Sequence, residues 1–367
     1  MVPEAGRKRR PMTAAAAVLA GLALGLARPA GAADSAVVLE YHHVSTDAPD
    51  STRVTPSTFE SHLDFLAEHG FTVWPLRRIL RHLDEGEPVP DKTVALTFDD
   101  AYESVYTEAF PRLEKRGWPF TVFVSTDYID RGYSNYADWD QLREMAGDGA
   151  DLGNHSRSHP HLVRRRDGES RQQWLARVRA QVTGAQKRLE AETDGAVKIF
   201  AYPFGEYTDA VEGLVRDLGF YGMGQQSGAV GAASDLAAAP RFPMATGFAD
   251  MDQFATKVRS RALPAKVLAP DSRLLDGEPA RPALRLRIPD GPYRLKQLAC
   301  YASGQGRMDL QWLDRSEGTV SVRPRKPLGP GRTKYNCTAP SSETSGVFYW
   351  YSYLWIKPRA DGSWYAE

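Results

Sequence analysis

Val94-Ala95-Leu96-Thr97-Phe98-Asp99-Asp100 is the stretch from which the fold can be argued, because a β-prone apolar run ends there on two adjacent carboxylates. Its alternating residues predict a buried strand. Ligands of parallel α/β folds and of β/α barrels bind at the carboxyl ends of strands, so this run predicts a functional site. An isolated Asp-Asp pair more often caps the following helix, which we expect near Ser104. The other polar clusters of the chain must decide between these interpretations.

Strand-like and helix-like runs alternate through most of the chain. Runs at 36–41, 120–124 and 197–202 have the composition of strands, and a long helical pattern covers 169–192. This alternation predicts an α/β domain with parallel strands, which we place at 34–262.

The composition changes after that domain. Residues 263–292 are rich in Pro, Arg and Asp without helical periodicity, and we predict a linker there. Short alternating runs over 293–367 predict a small β-rich, sandwich-like accessory domain. In the run 349–355 one side must be core, and the other side is a candidate carbohydrate-binding face.

Overall charge argues against nucleic-acid binding. The 367 residues include 46 Lys and Arg and 46 Asp and Glu, so the chain has no net charge. Binding to nucleic acid or to an acidic membrane surface normally needs an excess of positive charge. A small substrate or a neutral polymer fits better. The length exceeds the roughly 250–300 residues at which a single core stops growing, which favours two domains.

The first residues have the pattern of an export signal. A basic run at 7–10 precedes an apolar segment at about 12–26, and the small residues Ala30-Gly31-Ala32 follow. We therefore predict a signal peptide over 1–33 and an exported protein, either periplasmic or extracellular. An uncleaved anchor is the alternative, although the apolar segment is shorter than the roughly 20 residues that a membrane span needs.

Only two cysteines are present, Cys300 and Cys337. In an exported chain we expect them to form one disulfide, which would stabilise the domain that contains them by about 3–4 kcal/mol. Two buried free thiols are the alternative.

A second polar cluster follows the strand-like run at 150–153. His155 and His159 are separated by three residues, so both imidazoles can face one metal ion if a helical turn joins them. This spacing alone is weak evidence. Together with Asp99-Asp100, however, it supplies two His and one Asp on the same rim. Such a set leaves coordination positions open, as catalytic zinc sites do.

Three motifs in this order resemble a known family. Thr97-Phe98-Asp99-Asp100, His155-Ser156-Arg157-Ser158-His159 and Tyr202-Pro203-Phe204-Gly205 resemble the leading motifs of the carbohydrate esterase family 4 polysaccharide deacetylases, also called NodB-homology domains. The resemblance covers about residues 36–262. It implies a distorted (β/α)7 barrel and hydrolysis of acetyl groups on a glycan.

The resemblance also implies roles for single residues. Asp99 resembles the general base, and Asp100, His155 and His159 resemble the ligands of a divalent metal, usually zinc, with cobalt, nickel or iron as other options. The backbone N–H near Phe204 would help to stabilise the oxyanion.

The resemblance also implies a general acid, which in the family is commonly a histidine near the end of the domain. The sequence contains no histidine after His161, so we expect a histidine from early in the chain to serve. Tyr41-His42-His43 resembles the Tyr-His motif of the circularly permuted branch of the family. That branch includes exported poly-β-1,6-N-acetyl-D-glucosamine deacetylases of biofilm systems. We predict His42 as the acid and a structural role for His43.

One position departs from the family pattern. Ala201 stands where the third motif often carries an arginine that orients the base, and Arg241 is our candidate to replace it. Tyr202, Trp139 and Arg241 are further candidates for contact with substrate, although a tryptophan that opens a helix is as often a core residue.

The sequence thus predicts a metal-dependent N-deacetylase of an extracellular N-acetylglucosamine polysaccharide, with the β-1,6-linked polymer favoured. Chitin-like oligomers, peptidoglycan or another acetylated glycan are alternative substrates. A glycan-binding protein without catalytic activity is the competing class. Association with an exopolysaccharide export system is a further expectation, whereas the oligomeric state has no signal in the sequence.

Overall fold

The computed structural model describes Met1, Pro3, 32–275 and 280–366. The predicted signal peptide, residues 1–33, lies almost entirely outside these residues. The fold below belongs to the compact unit Gly31–Glu367. Within the described part of the chain, each helix is too short or too polar to cross a membrane.

A curled, largely parallel sheet of nine strands forms the first domain, as the alternating pattern predicted. Its main path runs through seven strands in the order Tyr221–Met223, Ala196–Ala201, Asp151–Asn154, Thr121–Val124, Thr93–Phe98, Ser35–Tyr41 and Val230–Gly231. The short strands Thr72–Val73 and Phe242–Pro243 pair with Thr93–Phe98 and Ser35–Tyr41. The result is a half-barrel with the predicted α/β architecture.

The central strands are apolar on both faces because both faces are covered. In Ser35–Tyr41 every residue is buried, with Val37 and Leu39 in one core and Ala36 and Val38 in another. Side chains alternate between the faces of a strand, so a strand covered on both faces carries apolar residues at successive positions, as this one does at 36–39.

Helices cover this sheet between its strands. Eight α-helices are described, at Pro56–Glu68, Leu76–Asp84, Phe110–Glu114, Thr126–Asp130, Trp139–Gly147, Arg171–Glu192, Asp209–Asp217 and Met251–Val258. A π-helical turn, Val105–Ala109, precedes the third, and Pro203–Gly205 and Leu295–Gln297 are 3-10 turns. Asp138 and Ser170 begin their helices with capping boxes. In each, the cap side chain accepts from the backbone N–H of the Gln three residues later, and that Gln side chain accepts from the backbone N–H of the cap residue.

Two further sheets form the C-terminal part of the chain. One contains Arg261–Ala262, Phe348–Lys357, Gly331–Pro340, Ala299–Ala302 and Gly306–Arg307, and the other Lys266–Ala269, Leu284–Arg287, Thr319–Arg323 and Asp309–Asp314. Two of these strands fall within 263–292, where we expected a linker, so that segment contributes to the sheets. Cys300 and Cys337 form the predicted disulfide between paired strands.

The strand Phe348–Lys357 is buried on both sides. Tyr349, Tyr353 and Trp355 belong to the core of the C-terminal sheets, while Leu354 and Ile356 pack into a core of the α/β domain. Neither side of this strand is therefore free to be a carbohydrate-binding face.

Candidate active site

The predicted site residues follow strands that end at one level of the half-barrel. Tyr41 pairs with Phe98, Val124 with Asn154, and Asn154 with Phe200. His42, Asp99-Asp100 and His155 come directly after three of these strands, so the topology brings distant motifs to a single rim.

Asp100, His155 and His159, which we call the metal triad, converge at one point. The Nε2 atoms of His155 and His159 each lie 3.4 Å from Asp100 Oδ1. That oxygen is buried and has no hydrogen-bond partner among the described residues, as expected for an atom that needs a cation. Two imidazole nitrogens and a carboxylate oxygen suit zinc and related ions, so the residues fit a divalent metal.

The surrounding backbone fixes the direction of the two imidazoles. His155 Nδ1 donates to the carbonyl oxygen of Ala201 at 2.8 Å, which turns Nε2 toward Asp100. Ser156 Oγ accepts from the backbone N–H of His159 at 3.1 Å and closes the segment as a non-helical turn, which still brings both imidazoles to Asp100. Asp100, Ser156 and His159 all have positive φ angles, a strained geometry that concentrates at functional sites.

The charges of the metal triad depend on burial and on each other. Burial lowers the pKa of His159 to about 4, so this imidazole is neutral at pH 7, as a ligand must be. Burial opposes ionisation of Asp100, but the two imidazoles outweigh it and hold the pKa of Asp100 well below its usual value. A cation would be attracted to the ionised carboxylate.

Asp99 is held by Arg241 from the far end of the domain. Arg241 Nη1 and Nη2 donate to the two carboxylate oxygens of Asp99 at 2.7 and 2.8 Å, and Arg241 Nε donates to Gly224 O at 2.9 Å. Burial works to raise the pKa of Asp99, and Arg241 outweighs it and keeps that pKa low. Arg241 is fully buried, so it cannot make the predicted contact with substrate. Its guanidinium contacts Asp99 instead.

His42 and Glu40 complete this side of the site. The His42 side chain is 18% exposed, and its Nε2 lies 3.9 Å from Glu40 Oε1. Glu40 is buried, neither carboxylate oxygen has a hydrogen-bond partner among the described residues, and Arg241 Nε lies 3.7 Å away. Burial raises the pKa of Glu40 above its usual value. One oxygen or nitrogen atom from each of Glu40, His42 and Asp99 falls within a 4.8 Å cluster.

Phe204 lies on a strained turn beside the metal triad. Phe204 has φ 60°, and its ring lies 4.3 Å from that of His159 and stacks at 3.9 Å on that of His161. Arg332, from the C-terminal strand Gly331–Pro340, donates to Phe204 O at 2.7 Å. Glu206, at the end of the turn, accepts from Tyr365 Oη at 2.6 Å. The C-terminal sheets thus contact this turn directly.

Tyr202 and Trp139, which were predicted to contact substrate, contact other parts of the protein instead. Tyr202 is fully buried and donates its hydroxyl to Ala237 O at 2.6 Å, so its role is structural. Trp139 packs against the core, donates Nε1 to Asp130 at 2.9 Å and lies under Arg188. The ring therefore contacts protein on these sides, as expected if Trp139 is a core residue.

Several residues near the site had no place in the sequence-based prediction. Glu40 had a signal, because it is a charged residue within an otherwise apolar strand. Arg332 and Lys334 had none, since they lie in an ordinary alternating strand far along the chain. Lys334 Nζ donates to Gln225 O at 2.6 Å, and burial lowers its pKa.

Comparison with known proteins agrees with this geometry. Residues 86–223 match the family model described as polysaccharide deacetylase. The poly-beta-1,6-N-acetyl-D-glucosamine N-deacetylase of Escherichia coli K12 is 24% identical over 259 residues, covering 60% of this chain and 38% of that protein. The Staphylococcus aureus MRSA252 protein of the same name is 25% identical over 218 residues, covering 54% and 74%.

A solved structure shares the fold. The Streptococcus pyogenes deacetylase PplD, in complex with acetate, aligns with a TM-score of 0.55 and 23% identity, over 61% of this chain and 98% of that one. The chain spans 57% of another relative, the YxkH protein of Bacillus subtilis, and little more than a third of the E. coli protein.

Proposed function

Because the α/β domain of this chain belongs to the polysaccharide deacetylase family, we propose that the protein is a metal-dependent hydrolase that removes N-acetyl groups from an extracellular N-acetylglucosamine polysaccharide. The observation that carries the proposal is the convergence of the metal triad with the Asp99–Arg241 pair and His42 on one rim. Poly-β-1,6-N-acetyl-D-glucosamine is the favoured substrate, since the E. coli and S. aureus relatives are named for it.

Asp100, His155 and His159 would hold the divalent ion, for which zinc is the first candidate. When bound, such an ion would supply Lewis-acid chemistry: it polarises a carbonyl oxygen and lowers the pKa of water. The metal triad leaves room for this because it supplies only three ligand atoms.

The remaining steps fall to the residues of the chain. Asp99, ionised at neutral pH, takes a proton from water as the water oxygen bonds to the acetyl carbonyl carbon. The bonds from Arg241 fix the direction of the carboxylate and leave lone pairs for that proton. The backbone N–H of Phe204 would donate to the oxyanion. His42 then protonates the nitrogen as the C–N bond breaks, which releases acetate and an amino sugar.

We also propose that the protein is exported. A disulfide between Cys300 and Cys337 is typical of oxidising compartments, and residues 1–33 have the pattern of a signal peptide. A periplasmic or extracellular enzyme would meet its glycan there, and an exopolysaccharide export system is the corresponding partner.

Acetate release is the test of the activity. Mature protein, with and without a chelator, is incubated with oligomers of β-1,6-N-acetylglucosamine, chitin oligomers and peptidoglycan. We expect release that the chelator abolishes and that is largest with the β-1,6 oligomers. The order of the three rates decides the substrate. Absence of release from every acetylated glycan would contradict the proposal.

Two variants separate the roles of the adjacent aspartates. Asp99→Asn is expected to keep bound metal and to lose turnover by about 10²–10⁴-fold, because it removes only the base. Asp100→Asn is expected to lose the metal itself, measured by elemental analysis. Asp148→Asn, an exposed position, is the matched control. Equal metal loss in the Asp99 and Asp100 variants would contradict these roles.

The departure at Ala201 would favour the competing class, a glycan-binding protein without activity. Arg241 donates two hydrogen bonds to Asp99, so the proposed base has an arginine partner despite that departure.

A further inference from the structure

One face of the four-stranded C-terminal sheet is rich in arginine. In its strand Leu284–Arg287 the two leucines are buried, and Arg285 and Arg287 are exposed. Because side chains alternate between the two faces of a strand, the exposed residues of the neighbouring strands lie on the same side as these arginines. This side, which we call the basic face, carries four cations on three adjacent strands: Lys266, Arg285, Arg287 and Arg323.

The pairing of the strands brings like charges together. Lys266 is directly opposite Arg287, and Arg285 is two residues away on the same strand as Arg287. Directly opposite side chains of paired strands have their Cβ atoms about 5 Å apart, and like charges in such positions destabilise a sheet. The fold does not require this arrangement, since Thr319 and Ser321 occupy outward positions of the next strand with uncharged side chains.

Neighbouring carboxylates do not neutralise the basic face. None of its four cations has an ion pair or a side-chain hydrogen bond with another described residue. Two aspartates on this side belong to the edge strand Asp309–Asp314, and both are already bound. Asp309 pairs with two further arginines at 3.2 and 3.3 Å, and Asp314 accepts from backbone N–H groups of the turn that follows it. A local excess of positive charge therefore exists on a chain that has no net charge.

Exposed leucines lie at both edges of the same sheet. Leu268, in the strand Lys266–Ala269, is 39% exposed, and Leu313, in Asp309–Asp314, is 47% exposed. These two strands are the edges of the sheet, so the leucines flank the basic face. They are two of only a few large apolar side chains so exposed in the part of the chain that the structure describes.

We propose that the basic face binds the surface of a membrane that contains anionic lipids. Lipid phosphates neutralise the four cations, and the two leucines enter the boundary between headgroups and acyl chains. The charge does not suit the proposed glycan, which is neutral when acetylated and cationic after the acetyl groups are removed. The leucines favour a membrane over a soluble polyanion, because only the membrane offers an apolar region to them. The inference does not depend on the proposed enzymatic activity.

Vesicle binding with matched variants tests this surface. The mature protein is used, so that the apolar segment of the predicted signal peptide plays no part. We expect binding to vesicles of phosphatidylcholine and phosphatidylglycerol in equal amounts, weakened by salt, and none to phosphatidylcholine alone. Arg285→Gln/Arg287→Gln should lower the affinity by about 25-fold, at about fivefold for each charge. Arg171→Gln/Arg179→Gln removes two exposed charges from a helix of the α/β domain and is the control, expected to bind as wild type does.

The melting temperature separates loss of binding from loss of folding. Arg285→Gln/Arg287→Gln should melt no lower than wild type, because it removes like charges from paired strands. Weaker binding at an unchanged or raised melting temperature supports the basic face. Equal loss of affinity in the two double variants would overturn it, since binding would then follow net charge. Absence of binding to the mixed vesicles would overturn it as well.

A single apolar variant distinguishes a membrane from a soluble polyanion. Leu313→Ser should lower the affinity for the mixed vesicles by about three- to fivefold, because less apolar surface is buried on binding. Duplex DNA and polyphosphate are compared at equal charge concentration and should bind more weakly than the vesicles. The membrane is overturned as the partner if Leu313→Ser binds vesicles as wild type does, or if either polyanion binds more tightly than the vesicles.

Discussion

Arg241 connects two buried carboxylates, and the stability of the site depends on it. Its guanidinium is fully buried, bonds both oxygens of Asp99 and lies 3.7 Å from Glu40. Removal of a buried charge leaves its partners unpaired, which costs far more than an exposed ion pair is worth.

We therefore expect Arg241→Met to lower the free energy of unfolding by about 3–5 kcal/mol and to reduce kcat. Arg325→Met removes an exposed pair with Asp309 and should cost less than about 1 kcal/mol. Urea denaturation of both variants measures the difference. A loss of similar size in the two variants would show that the burial of Arg241 is unimportant for folding.

For single residues, the sequence indicated which side chains belong to the site better than it indicated where those side chains point. Asp99, Asp100, His155 and His159 could be named because motifs at strand ends meet in three dimensions. Tyr202 could not be assigned a direction, since it lies where the strand Ala196–Ala201 gives way to a turn and the two-residue alternation stops. Its burial only becomes clear with the fold.

The turn Pro203–Gly205 is the element on which the oxyanion donor would depend. Its two successive positive φ angles, at Phe204 and Gly205, are costly for a non-glycine residue and need support from the surroundings. Arg332 supplies part of that support from the C-terminal sheets.

Arg332→Met is expected to lower kcat by about tenfold with little change in KM, because the backbone N–H of Phe204 would lose its fixed position. Arg332→Lys should recover part of the rate. Arg307→Met, an exposed arginine of the same sheet, is the matched control. The steady-state kinetics of the three variants provide the measurement, and unchanged kcat in Arg332→Met would remove this support from the mechanism.

Helix Pro56–Glu68 contains a buried histidine that predicts a dependence of stability on pH. His62 Nε2 donates to Ala249 O at 2.8 Å, Nδ1 accepts from Tyr41 Oη at 3.0 Å, and the ring stacks on Phe254 at 3.9 Å. Burial lowers its pKa from the usual 6.5 to about 4.

Between these values the unfolded chain binds more protons than the folded one. The stabilising contribution of neutral His62 is therefore complete above pH 6.5 and is lost as the pH falls toward 4, by about 3 kcal/mol in total. Unfolding of wild type and His62→Gln at pH 7 and pH 4.5 measures this, and the variant should lose less stability on acidification. A parallel loss in both proteins would assign the pH dependence to other groups.

Among the strands, those within 263–292 were the least predictable from the sequence. Leu284-Arg285-Leu286-Arg287 alternates clearly, and in the structure the two leucines are buried and the two arginines exposed. Its four residues are too few to distinguish a strand from a linker when prolines surround them. This segment is a strand because it pairs with Lys266–Ala269 and Thr319–Arg323. Pairing with strands that are distant in sequence leaves no local signal from which it could be predicted.

The disulfide is predicted to affect activity as well as stability. It closes a loop of 37 residues, which corresponds to about 4 kcal/mol of stabilisation. Cys337 lies on the same strand as Arg332 and Lys334, both of which bond to the α/β domain. Loosening this strand should therefore disturb the site.

A reducing agent is expected to lower the melting temperature of wild type and its rate of acetate release together. The double variant Cys300→Ala/Cys337→Ala should be unaffected by the reagent, which controls for effects on the metal. Thermal scans and rates with and without the reagent test this. A wild-type melting temperature that does not respond would mean that the bond contributes little.

The strand Phe348–Lys357 has a consequence for the inheritance of this protein. One side belongs to the core of the C-terminal sheets and the other to a core of the α/β domain, so each part of the chain buries a surface of the other. We therefore expect that exchanging the C-terminal sheets for those of an unrelated protein would also require changes in the core that contains Leu354 and Ile356. The two parts are therefore expected to have been inherited together and to accept compensating substitutions in pairs.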